Sequence, residues 1–242
     1  VDYSDWLPKH LPTEGELSRQ RKATFDYAPK ISIVVPLYKT KEEYLKQLVD
    51  SVKAQTYTNW ELCLSDGSGK HSPISALLEK LETSDSRIKV IYNEEPLRIA
   101  QNTNAAMEAA SGDFIAFADH DDVLCEHALY ECVKVLNENP DTDVLYSDED
   151  KMSMKGNRFF MPHFKPDFNL DLLCTVNYIC HLFVAKKELI DKVGLLRPEF
   201  DGAQDYDFIF RCVEEAEHIY HIPKILYHWS CLLYTSDAAD EL

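Results

Sequence analysis

The chain has 242 residues, 45% of them hydrophobic and 28% charged, the balance of an ordinary globular protein with enough length to bury a real core. Its 42 acidic side chains outnumber 25 basic ones, giving a net charge of −17, and no Lys/Arg cluster offers the footprint of a nucleic-acid binder. The longest apolar stretch, Leu172 to Ala185, is interrupted by Asn177 and His181 and is too short to span a bilayer.

Residues 1–30 are polar and mixed, an amino-terminal extension with isolated anchors at Trp6, Leu7 and Leu11 and a helix expected over 13–23. The ordered pattern begins with a buried strand over 31–36, stopped by Pro36. An amphipathic helix over 41–55 follows, with Tyr44, Leu45, Leu48, Val49 and Val52 at helical spacing. Strands at 60–64 and 88–92, helices at 73–81 and 99–110, and a strand from Phe114 complete a first half. Such alternation predicts an α/β fold with a doubly wound, mostly parallel sheet. Beyond Asp122 the regularity changes: a helix over 126–137, a short strand at 144–146, a polar turn at 147–151, and strands near 158–161 and 181–185. Gly194 closes a helix over 187–193, and a helix at 205–215 and a strand-like 218–222 come last. Continuous patterning and only seven glycines favour one domain, 31–229, in two lobes that divide at residue 122.

The most telling segment is Phe114-Ile115-Ala116-Phe117-Ala118-Asp119-His120-Asp121-Asp122, an apolar run ending in three carboxylates. On an extended chain Asp119 and Asp121 would share one side and His120 the other. Two carboxylates that close repel unless a hard cation lies between them, and Mg²⁺ or Mn²⁺ bridging to a substrate's phosphates is the natural occupant. Capping of the next helix is the alternative role for Asp121 or Asp122. Doubly wound sheets bind ligands outside the carboxyl ends of their strands. Segments 36–38, 65–68, 93–98 and 119–122 all follow strand ends, so they are expected to converge on one edge. Arg98 would be a diphosphate partner there, or else a salt-bridge partner of Glu94 or Glu95.

The segments Ile31 to Tyr38, Ser65-Asp66-Gly67-Ser68, Asp119-His120-Asp121 and Gln204-Asp205 occur in the order seen in family 2 glycosyltransferases of the GT-A fold, and the chain resembles that family over roughly 29–229. Tyr146 to Lys151, Asn177 to His181 and Asp201 to Asp207 look like the bacterial branch that builds surface polysaccharides. What the resemblance implies is metal-dependent transfer of a sugar from a UDP- or dTDP-linked donor to a glycan or lipid-linked saccharide, with inversion. Residues 31–122 would then be the nucleotide-binding half and 123–229 the acceptor half. Asp119 would contact the donor's ribose or a metal-bound water, and Asp121 would ligate the metal. Asp66 would accept the imide N–H of uracil or thymine, against the plainer reading of an Asx turn. Pro36 and Tyr38 would wall the base or ribose.

An inverting transfer needs one carboxylate to take the acceptor's proton, and the resemblance gives that role to Asp205, whose alternative is a helix cap. Gln204 stands where relatives commonly have Glu. Asp148, Glu149 and Asp150 would lie on the acceptor side or form a solvated turn; His181 would join them or be a packed core histidine. His228 would lie near the metal or the acceptor. A sugar nucleotidyltransferase is disfavoured, because residues 36–41 contain no glycine to cradle a triphosphate; a catalytically impaired nucleotide-sugar or glycan-binding domain is the other rival.

No amino-terminal segment joins basic residues to an apolar run, so no secretory signal is expected. Seven cysteines without CxxC spacing read as reduced thiols of a cytoplasmic protein, working at the inner face of the membrane if its acceptor is lipid-linked. Residues 230–242 fit neither the family pattern nor an obvious element and read as a non-native tail.

Overall fold

The computed structural model describes residues 2–231. The amino-terminal extension forms two short helices, α1 (Tyr3–His10) and α2 (Glu14–Gln20), where one was expected. Thr13 starts α2 through a capping box: its hydroxyl accepts from the Glu16 amide while the Glu16 carboxylate accepts from the Thr13 amide.

The first half follows the alternation in the sequence: β1 (Ile31–Leu37), α3 (Glu42–Lys53), β2 (Trp60–Asp66), α4 (Ser75–Ser84), β3 (Ile88–Tyr92), α5 (Ile99–Ala109) and β4 (Phe114–Phe117). These four strands are parallel, in the order β3-β2-β1-β4. Pro36 does not end β1. Pairing with β4 stops at Val34, so the ring sits where β1 has lost that neighbour and continues beside β2 to Leu37.

The second half comprises β5 (Val123–Leu124), α6 (Ala128–Glu138), β6 (Val144–Ser153), β7 (Phe159–His163), α7 (Leu170–Leu173), β8 (Phe183–Lys186), α8 (Lys187–Val193), α9 (Gln204–Glu215) and β9 (Ile219–Cys231). They extend the sheet as β8-β6-β9-β5, with β7 on the remaining length of β6. Here β8 runs antiparallel to β4 and β6, whereas β9 is parallel to β6. Two apolar clusters fill the two faces, one around Leu48, Leu62 and Leu129, the other around Ile115, Phe183 and Phe208.

Two expectations need correction. Residues 147–151 are not a turn but the middle of β6, and their acids are buried because other elements bring partners to them. Asp148 accepts from the Lys165 amide at 2.9 Å and lies 2.7 Å from His221 Nε2. Asp150 accepts from the Tyr3 hydroxyl at 2.6 Å and lies 2.5 Å from His228 Nδ1. The strand expected at 218–222 runs on to Cys231, so Ser230 and Cys231 belong to the sheet; the rest of the expected tail lies outside the described residues. Six cysteines among the described residues are free thiols. No helix among the described residues is long and apolar enough to cross a membrane.

Candidate active site

The sheet's ligand edge is built by the segments after β1, β2, β3 and β4. Ser65, Asn93 and Asn102 lock three of these together. The Ser65 hydroxyl donates to Asn102 Oδ1 at 2.7 Å, Asn93 Nδ2 donates to the Asp66 carbonyl at 2.9 Å, and Asn102 Nδ2 donates to the Leu37 carbonyl at 2.8 Å. Gly67 makes this possible, since a Cβ there would lie 2.6 Å from Asn102 Nδ2. Asp66 is buried, and its Oδ1 accepts the Ser68 amide at 3.0 Å, the Asx turn of the plainer reading.

A cavity of about 610 Å³ opens on this edge, lined by Pro36, Tyr38, Arg98, Asn102, His120 and Asp201 among others. Arg98 is exposed and forms no ion pair among the described residues; Glu94 pairs with Lys70 instead, at 3.5 Å. Tyr38 is 49% exposed at the cavity wall, with the Lys39 ammonium over its ring at 5.3 Å. Two buried polar atoms beside it, His120 Nδ1 and Asp201 Oδ2, have no hydrogen-bond partner among the described residues. Asp201 reaches this place from the loop before α9, its other oxygen accepting the Ala100 amide at the start of α5 at 3.1 Å. Sequence reading missed His120 and Asp201 because nothing in their neighbourhoods announces a contact between the two halves.

β4 ends at Phe117, so strand alternation stops before the carboxylates. The chain turns instead, the Asp122 amide donating to the Asp119 carbonyl at 3.3 Å. That turn gathers Asp119 and Asp122, not Asp119 and Asp121, with His181 within 4.8 Å of both. His181 Nε2 lies 3.5 Å from Asp119 Oδ2, and Glu149 Oε2 accepts the His181 amide at 2.6 Å and lies 3.2 Å from its Nδ1. Burial works against a charged His181 ring, yet Cys180 and the carboxylates of Asp119 and Glu149 hold it well above the usual histidine range. Asp119 is held below the carboxylate range because His181 outweighs burial.

Asp122 behaves oppositely: burial, then the Asp119 charge, pushes it up to about 8. Its oxygens are taken by the Tyr227 hydroxyl at 2.5 Å and the Ser230 amide at 2.7 Å, so it caps no helix. Asp121 keeps its side chain 35% exposed, 4.0 Å from His120 Nδ1.

His228 is not brought into this group. β9 alternates, so Tyr227 and Trp229 approach His181 while His228 turns to the opposite face, between Asp150 and Cys125 Sγ, the latter at 3.1 Å. Tyr227, overlooked in the sequence, does reach the site and also accepts the Asp119 amide at 3.0 Å. Asp148 and Asp150 are committed to partners inside the fold. Glu149 enters the site only through His181.

A second cavity of about 90 Å³ adjoins the first at Pro36 and Ile99, and Asp119, His181, Gln204 and Asp205 share its wall. The two carboxylates singled out in the sequence thus border one space. Asp205 lies in the first turn of α9, which has no side-chain cap, so capping is not its role. Its Oδ2 accepts from Asn177 Nδ2 at 3.1 Å, and the helix N-terminus favours negative charge at that position.

The family model for Glycosyl transferase family 2 matches residues 32–194. Over 93% of its length the chain is 43% identical to the protein y4gI of Sinorhizobium fredii, and over 94% it is 34% identical to the O-antigen biosynthesis protein RfbC of Myxococcus xanthus. It spans 25% and 18% of those two relatives. The structure of S. aureus TarS 1-349 in complex with UDP-GlcNAc superposes on 87% of the chain and 61% of its own length, with a TM-score of 0.69 at 21% identity. The family model's match over residues 32–194 places this chain in glycosyltransferase family 2, and its mixed sheet has the GT-A fold.

Proposed function

We propose that this domain transfers a sugar, with inversion, from a UDP- or dTDP-linked donor to a growing cell-surface glycan, with Asp205 as the general base. One observation carries the reading: Asp119 and Asp205 line the same small cavity, and that cavity adjoins a larger one lined by Tyr38 and by Arg98, which has no ion pair among the described residues. The nucleotide occupies the larger cavity, its base or ribose against Pro36 and Tyr38 and its diphosphate toward Arg98. His120 Nδ1 and Asp201 Oδ2 gain there the partners they lack. The base-reading role of Asp66 rests on its second oxygen, since the first holds its own turn.

The donor set of Asp119, Asp122 and His181, two carboxylates and an imidazole, suits Mn²⁺ or Mg²⁺ chemically. Asp122 is fully buried with both oxygens already accepting hydrogen bonds, so Asp119 and the partly exposed Asp121 would be the carboxylates that hold the ion. Such an ion would neutralise charge developing on the leaving diphosphate. The chain's own contribution is to fix Asp119: Glu149 orients His181, and His181 with the Tyr227 hydroxyl holds Asp119 and its amide.

Across the sugar, Asn177 holds one oxygen of Asp205 and leaves Oδ1 for the acceptor hydroxyl. That hydroxyl gives its proton to Asp205 as its oxygen bonds to the anomeric carbon, and the diphosphate departs on the opposite face with the bonding electrons. The relationship to an O-antigen biosynthesis protein supports a surface polysaccharide as acceptor. Asp205→Asn is expected to lower transfer about 10²–10⁴-fold with UDP affinity unchanged. Unchanged turnover would remove Asp205 from the mechanism, and wild-type donor binding without transfer or donor hydrolysis would select a binding-only domain.

A further inference from the structure

The small cavity between Asp119 and Asp205 has walls of an unusual kind for a sugar site. Val34, Phe117, Phe183, Leu196, Phe208 and Ile209 line it, and its lining is mostly apolar. Asp119 and Asp205 also line it, and the reading above gives their free oxygens to the cation and the acceptor hydroxyl; the other polar groups are largely engaged. Thr103 Oγ1 donates to the Ile99 carbonyl at 2.8 Å, Gln204 Oε1 accepts the Gly202 amide at 2.7 Å, and both nitrogens of His181 face Asp119 and Glu149. At about 90 Å³ the recess exceeds several-fold the roughly 10–15 Å³ that one water needs on the same measure, so it admits a substituent.

A sugar hydroxyl turned into this recess gives up its water and finds few partners, whereas a methyl group gains from leaving water. The recess lies between the carboxylate assigned to the diphosphate side and the one assigned to the acceptor, where the transferred ring must sit. We infer that the donor sugar carries a methyl-bearing substituent seated in this recess, the acetamido methyl of an N-acetylhexosamine or the C6 methyl of a 6-deoxyhexose. This inference rests on the donor reading above and narrows its substrate class.

Calorimetric titration of the intact chain with Mn²⁺ tests it, with UDP and dTDP as references. UDP-N-acetylglucosamine is compared with UDP-glucose, and dTDP-6-deoxyglucose with dTDP-glucose. In one pair the methyl-bearing donor is expected to bind about tenfold or more tightly than its counterpart, and the pair that does so identifies the substituent. Leu196→Phe, which fills the recess from its wall, should bring that donor down to the affinity of its hydroxyl counterpart with UDP binding unchanged. Equal affinities within both pairs, with the free nucleotides still bound, overturn the inference and leave the donor reading standing. Failure of every nucleotide to bind overturns the donor reading, and this inference with it.

Discussion

Between β1 and β4 the sheet is parallel, and Glu61 and Asp66 are the fully buried acids on its strands; from β5 to β9 the strands run both ways and bury Asp148, Glu149, Asp150 and His228, with Lys165 beside them. The first half makes its ligand edge by geometry alone, since parallel strands deliver four loops to one side. The second half has no such regularity and positions its side chains through pairs of buried charges. Lys165 shows the cost: burial pulls its amine down to about 8 although Glu149 lies 4.0 Å away. What it gains is placement, because the Lys165 ammonium donates to the carbonyls of Ile179 and His181 and so holds the segment that carries His181 to Asp119.

The seam between the halves is the place to break this contrast first. If Asp119 and Asp121 hold the cation, Asp119→Asn and Asp121→Asn should each remove on the order of a hundredfold of Mn²⁺-supported UDP affinity, measured by calorimetry with and without EDTA. Asp122→Asn should stay within a few-fold of wild type, because that carboxylate already serves Tyr227 and Ser230. The reverse order would move the ion inward, onto Asp122 and His181.

The same contrast explains what was legible in the sequence. Periodicity located β1–β4 and α3–α5 within about two residues at most ends, and the strand-end rule then placed Pro36, Tyr38, Arg98 and Asp119 on one edge. Asp205 was found through the family pattern, not through spacing. The second half was opaque because three consecutive acids read as a loop unless their partners are visible. Those partners come from Tyr3, Lys165, His221 and His228, distant in sequence and silent in composition. Strand alternation does not extend past Phe117, where β4 has ended, but it does run along β9, where it sends His228 away from the site.

Buried charge of the two kinds should also fail at opposite ends of the pH scale. Glu61 is buried, but Lys30 and Lys89 at 2.7 and 2.8 Å, together with Ser32 and Ser111, hold its carboxyl far below the usual range. Its contribution is therefore present above the unfolded value near 4.5 and is lost as pH falls toward the folded value. For His228, Cys125 and Asp150 outweigh burial and raise the ring to about 10. That contribution is present below about 6.5 and is lost as pH rises through about 10. Urea unfolding across pH should thus show an acid limb removed by Glu61→Gln and an alkaline limb removed by His228→Gln, each on the order of 2–3 kcal/mol. A variant that flattens the wrong limb would break the assignment.

The smallest effect decides to which half the amino-terminal arm belongs. α1 touches β7, Trp6 meets Phe164 edge-on at 5.0 Å, and the Tyr3 hydroxyl donates to Asp150 at 2.6 Å, the carboxylate that also holds His228. Tyr3→Phe removes that donor and keeps the ring. Because Asp150 retains His228, the loss should be about 1–1.5 kcal/mol in urea unfolding at pH 7, below the cost of leaving a buried charge unpaired. UDP affinity should not change, since Tyr3 reaches neither cavity of the site. Combining Tyr3→Phe with His228→Leu should cost more than the two alone, because only the double variant strips Asp150 of both side-chain donors. Strict additivity would mean that the arm merely rests on the second half and does not share its network of buried charge.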